Sequence, residues 1–407
     1  MTSLVQNLRN GKWLQRDRLA FYPLLIVVIT AAATAYVLIS NGGTLPNGSP
    51  FGSDFVSFWV AAREALAGNP ELPYATERLA AAQNAIFRDG NYYAFYYPPH
   101  YLAYLLPLGG LPYYAALAVW AALTLALALF VIVAIVGLRR EAFILTLAFP
   151  ATFLTVAHGQ NAFLSAALFG GALWLLPTRP VLAGILLGLL TYKPQLGILI
   201  PFALLAAGQW RTILSASATT VVMIVVSAAL FGVETWQAFL AQSDQAMETL
   251  RYGHVGWNKM ISTYAALRLF EVPHFAAMFA QAAVSLCVLG ALILVWRRGS
   301  RASAEIRNAM LLCGALLATP FGLNYDLFIV APAIAFICAR GMRLGFEPWQ
   351  KTGIAVVYCS PFVLLWLMGD GIPVAPQVLA LLFAHLFWIA LTEDRRASVP
   401  VVPAPAE

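Results

Sequence analysis

Apolar runs recur along nearly the whole chain. They fall near residues 19–39, 112–137, 142–157, 161–176, 180–191, 195–207, 211–232, 274–296, 306–319, 324–340, 351–369 and 373–391. None shows the short apolar–polar alternation of a β-barrel strand, so the pattern predicts transmembrane helices. The expected class is an all-α polytopic membrane protein of about 12 transmembrane helices, with both termini cytoplasmic. The runs 180–191 and 195–207 are short for roughly 30 Å of hydrocarbon. They are expected to be tilted partners of re-entrant backbone at the Tyr192-Lys193-Pro194-Gln195 break.

The long polar interval 40–111 interrupts this pattern. Within it Phe55, Phe58, Trp59, Ala62 and Leu66 recur at helical spacing, and Gly68-Asn69-Pro70 ends the helix. A weaker stripe, Leu79, Ala82, Gln83 and Ile86, is ended by Asp89-Gly90. Both are predicted to be amphipathic interfacial helices on the membrane surface. Tyr92, Tyr93, Phe95, Tyr96 and Tyr97 suit the headgroup belt. A second polar interval spans 233–273.

Composition agrees with the pattern: 61% of residues are hydrophobic and 10% charged, against about 25% charged in soluble domains. The net charge of +6 raises the question of nucleic acid, but its distribution is that of the positive-inside rule. If 99–110 does not cross, 17 of the 24 Lys and Arg lie on the cytoplasmic side; if it crosses, 8 do. The rule therefore favours an interfacial or re-entrant 99–110. No nucleic-acid partner is expected; membrane lipids are. Arg9, Lys12, Arg16 and Arg18 precede the run 19–39, which is too long for a signal-peptide core and is expected to be a retained span. Cys287, Cys313, Cys338 and Cys359 sit in or at the ends of apolar runs, without metal-like spacing, and predict no disulfide framework. The domain plan is a cytoplasmic N-terminus (1–18), one integral membrane domain (19–391) with extracytoplasmic intervals 40–111 and 233–273, and a disordered cytoplasmic tail (392–407).

The same charge count puts the polar breaks on one face, the extracytoplasmic one. Asp54 precedes the first amphipathic helix, and two readings stay open: an N-cap, or a partly desolvated general base. Lys193 stands between apolar runs, where a charge is costly unless paired or solvated. It either snorkels to the interface or meets a phosphate as a point charge. His158, Gln160 and Asn161 form either a tight turn around Gly159 or a set of hydrogen-bonding groups for sugar hydroxyls. Asn324 and Asp326 carry the same two readings. Arg251, His254 and Lys259 in 233–273 are either solvated or ready to hold an anionic headgroup. Tyr97, His100 and Gln195 complete the substrate-binding candidates. No HExxH, paired cysteines, phosphate-cradling glycine loop or GxSxG occurs, so no metal or cofactor is assigned.

Several blocks resemble glycosyltransferase family 87. They are Asp54-Phe55-x-x-Phe58-Trp59-x-Ala61-Ala62, Gly68-Asn69-Pro70, Leu72-Pro73-Tyr74, Tyr97-Pro98-Pro99, Leu106-Pro107, Leu111-Pro112-Tyr113 and Trp120. Gly159-Gln160-Asn161, Lys193-Pro194-Gln195 and Trp210-Arg211 follow in the family's order. The resemblance covers roughly 50–330 and implies a GT-C-type bundle. It also implies a polyprenyl-phosphate-linked sugar donor, often mannose, a lipid or glycan acceptor, and inverting transfer on the extracytoplasmic side of the cell membrane. By the same resemblance Asp54 is expected to act as base, and Lys193 and its neighbours to face the donor phosphate. Where many members carry a His-containing block after Ser-Pro, this chain reads Thr319-Pro320-Phe321-Gly322-Leu323-Asn324-Tyr325-Asp326, which leaves acceptor and sugar open. Two rivals compete: a transporter or flippase of lipid-linked sugars, for which no repeat symmetry is evident, and a non-catalytic membrane scaffold, which leaves Asp54 and Lys193 without a role.

Overall fold

The structure, a computed structural model, describes residues 3–45, 48–369 and 371–398. Among these residues it is all-helical, with two isolated β-bridges and no strand. A short helix α1 (Ser3–Asn10) leads into α2 (Arg16–Ser40). The first polar interval holds α3 (Phe55–Leu66) and α4 (Thr76–Phe87) and ends in the six-residue α5 (His100–Leu105). Then come the long α6 (Tyr113–Val136) and the pair α7 (Arg140–Ala148) and α8 (Pro150–His158), bent by 54° at Phe149. Next are α9 (Ala162–Leu175), α10 (Pro180–Leu189), α11 (Pro194–Gly197), α12 (Ile200–Ala207) and α13 (Trp210–Phe231). The second polar interval forms α14 (Val233–Ala241), α15 (Ser243–Tyr252) and α16 (Thr263–Leu269). The chain closes with α17 (His274–Trp296), α18 (Ala304–Ala318), α19 (Val330–Leu344), α20 (Gln350–Gly369) and α21 (Ala375–Ser398).

Among the described residues, six helical segments are long and apolar enough to cross a membrane, or seven if α7 and α8 are one span. The predicted runs at 161–176, 180–191, 195–207 and 306–319 are helical but shorter. Proline at Pro180, Pro194 and Pro201 restarts helices there, and α9 and α18 are buried along most of their length. The piece 99–110 forms α5 and a 3-10 turn over Leu106–Leu108. Nine residues of helix rise only ~14 Å, too little to cross alone. Helix α21 continues to Ser398 where a disordered tail from 392 is predicted; beyond 398 that tail lies outside the described residues.

Two expectations about the first interval are corrected. Helix α3 does not lie along a surface: Phe55 through Ala62 are all buried. The residues between its stripe positions (Val56, Ser57, Val60 and Ala61) carry no charge, so nothing holds that face in water. The aromatic run keeps an exposed Tyr92 and half-buried Tyr93 and Tyr96, but its Phe95–Tyr97 end turns inward. Phe95 is fully buried and, with Tyr97, packs against Phe58 and Tyr101. Helix α4 keeps the amphipathic form, burying Leu79 and Gln83 while Ile86 stays exposed.

Helices α10 and α13 pack through glycines. A Cβ on Gly184 would meet Ser215 Oγ at 1.8 Å, and one on Gly188 would meet Thr219 Cβ at 2.5 Å. This is the small-residue contact that lets membrane helices approach closely. Helices α18 and α19 run between two polar ends. At one, Glu305 pairs with Arg343, and Arg340 binds Glu393 (2.6 Å), whose carboxylate also accepts from Ser303. At the other end lie Thr319 to Asp326.

Candidate active site

The turn before α3 sets the position of Asp54. Gly52 has φ +78°, donates its N–H to Ala157 O at 2.9 Å, and leaves its carbonyl to accept from Tyr113 Oη at 2.7 Å. The turn is thereby pinned to α8 and α6. Asp54 occupies the N-cap position of α3, but its side chain makes no cap hydrogen bond. The carboxylate points away from the helix: Oδ2 accepts from Gln160 Nε2 at 3.0 Å, and His158 Nδ1 lies 3.8 Å away. Its side chain is 33% exposed, that of His158 28%. The capping reading of Asp54 is thus replaced by a carboxylate open on one side.

Gly159 makes this approach possible. It caps α8 with φ +65°, and its Cα faces Phe55 across the turn. Gln160 and Asn161 follow in the break before α9, as the tight-turn reading predicts, yet their side chains are engaged. Gln160 Oε1 accepts from Tyr97 Oη at 3.3 Å and from Asn161 N at 3.4 Å. Asn161 Nδ2 donates to Tyr101 Oη at 3.2 Å, and Asn161 Oδ1 accepts from Lys193 Nζ at 3.1 Å.

Lys193 does not snorkel. It sits in the break before α11, 3% exposed, with Nζ 2.5 Å from Asp326 Oδ1 and 5.3 Å from the Tyr325 ring centroid. Asp326 is equally buried, and its Oδ2 accepts the Leu323 N–H at the head of the 3-10 turn Asn324–Ile329. Four breaks far apart in sequence therefore meet in one hydrogen-bonded cluster holding Asp54, Tyr97, Gln160, Asn161, Lys193 and Asp326, with His158 beside it.

The other candidates fall elsewhere. His100 is buried against Trp236 (ring centroids 6.0 Å, stacked), with Thr191 Oγ1 at 3.5 Å from Nε2 and no partner for Nδ1. Burial pushes its imidazole down to about 4. Gln195 and Asn324 are half-buried and lie outside the cluster. Arg251, His254 and Lys259 are exposed on the second interval, where His254 stacks on Tyr252. That interval is tied to the first: Tyr96 Oη and Thr249 Oγ1 are 2.8 Å apart, and Thr76 Oγ1 donates to Gln245 Oε1 at 2.6 Å. It also meets the 319–326 turn through Ile261 N to Gly322 O at 2.9 Å.

Sequence reasoning passed over three residues of this site. Tyr101 accepts from Asn161 and stacks on Tyr192 at 4.7 Å; Tyr192 Oη lies 2.8 Å from Ser165 Oγ. The Tyr97 and Tyr101 rings lie 4.6 Å apart, but Tyr97 precedes α5, so no helical spacing marks the pair. Nothing local marks Ser165 within its apolar run. Burial, with the Asp326 and Asp54 carboxylates adding to it, pushes the Tyr97 phenol above its usual value, so it stays a neutral donor toward Gln160. Among the described residues no three His, Cys, Asp or Glu side chains gather as a metal site would require.

Chemically the cluster offers one accessible carboxylate, an imidazole beside it and amides fixed behind it. The family model for glycosyltransferase family 87 matches residues 95–320. The chain belongs to glycosyltransferase family 87. This member is accordingly a membrane glycosyltransferase that uses a sugar donor and an acceptor. The matched stretch contains Tyr97, Gln160, Asn161 and Lys193; Asp54 lies before it and Asp326 after it. No curated protein and no solved structure matches the chain.

Proposed function

We propose that this glycosyltransferase transfers a hexosyl group, mannose foremost, from a polyprenyl-phosphate-linked donor to a lipid or glycan acceptor. The reaction is placed on the extracytoplasmic side of the cell membrane, with a GT-C-type bundle of about twelve spans around it. Asp54 is the general base. It takes the proton of an acceptor hydroxyl; that oxygen attacks the anomeric carbon, and the bond from this carbon to the phosphate oxygen breaks. Polyprenyl phosphate leaves, and configuration at the anomeric carbon inverts.

The observation that carries this reading is the state of the Asp54 carboxylate. It sits at a helix N-cap without capping, is fixed on Oδ2 by Gln160 and stays one-third exposed. A base must reach a substrate proton and keep its own orientation, and this group meets both needs. His158 flanks the reacting region as a further hydrogen-bonding group for sugar or phosphate. Tyr97 backs the carboxylate through Gln160, the half-buried Gln195 and Asn324 lie toward the approach, and Arg251, His254 and Lys259 form the surface that meets the donor headgroup. The buried His100 supports the packing behind them. A lipid-linked donor enters from the bilayer, so no nucleotide-binding domain is required.

The test is Asp54→Asn in purified protein, assayed with polyprenyl-phosphate-mannose and a membrane glycolipid extract. Transfer falls by roughly 10²–10⁴-fold, while folding and donor binding persist. Undiminished transfer overturns the base assignment. Donor movement across vesicles without any transfer product favours the flippase reading instead.

A further inference from the structure

The direction of each hydrogen bond in the cluster is fixed by groups that can only donate. The Lys193 ammonium donates, so the Asn161 atom facing it is the carbonyl oxygen. Asn161 Nδ2 must then face Tyr101, as observed. The backbone N–H of Asn161 likewise donates only, so Gln160 presents Oε1 to it and Nε2 to Asp54. Tyr97 Oη reinforces the same orientation by donating to Oε1. Both flippable amides are thereby held in one sense: Asn161 donates to Tyr101, and Gln160 supplies the donor to Asp54 Oδ2. Among the described residues Asp54 Oδ1 accepts no hydrogen bond, which leaves it for substrate.

Lys193 is fully committed within this arrangement. Its ammonium meets Asn161, Asp326 and the Tyr325 ring, and Asp326 is itself held by Leu323 N–H. A donor phosphate would have to displace Asp326 to reach it. An ammonium this deeply buried is costly unless its partner stays.

We propose that Lys193 and Asp326 are positioning residues: their buried ion pair anchors the Asn161 side chain and with it the Asn161 backbone N–H that orients the Gln160 amide, and so holds Asp54 for proton abstraction. This rests on the reading of Asp54 as base, and it removes Lys193 from contact with the donor phosphate.

The decisive variant is the double substitution Lys193→Met/Asp326→Leu, which removes both charges together. Single variants leave one buried charge unpaired and are expected to fold poorly. With polyprenyl-phosphate-mannose as donor, the double variant should lower kcat about 10–100-fold while donor KM stays within about twofold, the signature of lost orientation rather than lost binding. A tenfold or greater rise in donor KM with kcat retained would make Lys193 a phosphate ligand and overturn the proposal. Wild-type kcat and KM in the folded double variant would overturn it equally.

A second arm needs no substrate. The Asp54 carboxyl is titrated by infrared difference spectroscopy, wild type against Asp54→Asn. Gln160→Met removes the donor to Oδ2, and the Asp54 titration should move upward, because a hydrogen bond to the charged form is lost. The double variant should move it in the same direction. An unmoved titration in both counts against the proposal. If Asp54→Asn is inactive while the double variant keeps full kcat, only the positioning inference fails. If Asp54→Asn keeps full transfer, the base reading fails first.

Discussion

Gly159 and Phe55 touch so closely that a Cβ on Gly159 would lie 2.5 Å from Phe55 Cβ and 2.8 Å from Leu117 Cδ1. Gly159 also has φ +65°, where an L side chain is strained. Asp54 and Gln160 are the chain neighbours of this contact. Gly159→Ala should therefore cost about 2–4 kcal/mol from strain and overpacking. It should also separate Asp54 from Gln160 and reduce transfer. Thermal unfolding in detergent and the transfer assay read both effects. Gly110→Ala, with open space around it, is the control and should change neither.

Acid should loosen the protein through His100. Burial lowers its imidazole to about 4, against about 6.5 in the unfolded chain. Between those values the unfolded state binds the extra proton, so stability falls as pH drops from 6.5 toward 4. The loss attributable to this group reaches about 3 kcal/mol at the lower end. His100→Phe should flatten that part of the unfolding-versus-pH curve. A slope identical to wild type would show that another group is responsible.

Packing of α10 on α13 gives a prediction remote from chemistry. Gly188→Ala forces a methyl group into Thr219 Cβ and Ala216 O. A lowered unfolding midpoint is expected, corresponding to about 1–3 kcal/mol. Gly290→Ala, with nothing near its Cα on α17, should leave the midpoint unchanged or raise it slightly through helix propensity.

Sidedness is tested by labelling. In a variant whose exposed Cys287 and Cys359 are replaced by alanine, Ser243→Cys should react with an impermeant maleimide added to intact cells, and Ser300→Cys should not. The reverse result would turn the protein over in the membrane and move the reaction to the other face.

What the chain reveals by itself divides along a physical line. Helix limits are local, and α17 begins and ends where its apolar run does, because hydropathy and terminal breaks act within a few residues. Six of the candidate side chains gather because each sits in a break between apolar runs. Breaks at the same end of a bundle come near one another. The partner choices are not local. Nothing within ten residues of Lys193 announces Asp326, 133 residues away. Asp54 reads as a cap until Gln160 is seen to hold its carboxylate. The burial of α3 was visible in outline, since Phe55 to Ala62 contains no charge at all, but the stripe at helical spacing hid it. Hydropathy does not separate α9 and α18 from lipid-facing spans, because their apolar residues are buried inside the protein.

The Lys193–Asp326 pair also imposes an order on biogenesis. Lys193 enters the membrane with the short helices α10 to α12, and its counter-charge is not yet synthesised. At roughly 5–20 residues per second, the ribosome needs about 7–27 seconds to reach Asp326. During that interval the ammonium must remain at an aqueous edge or borrow a transient partner. The hairpin around Tyr192 can settle into its final depth only when the last third of the chain arrives. A protein truncated before residue 319 should accordingly leave this hairpin unsettled and open to the quality-control proteases of the membrane.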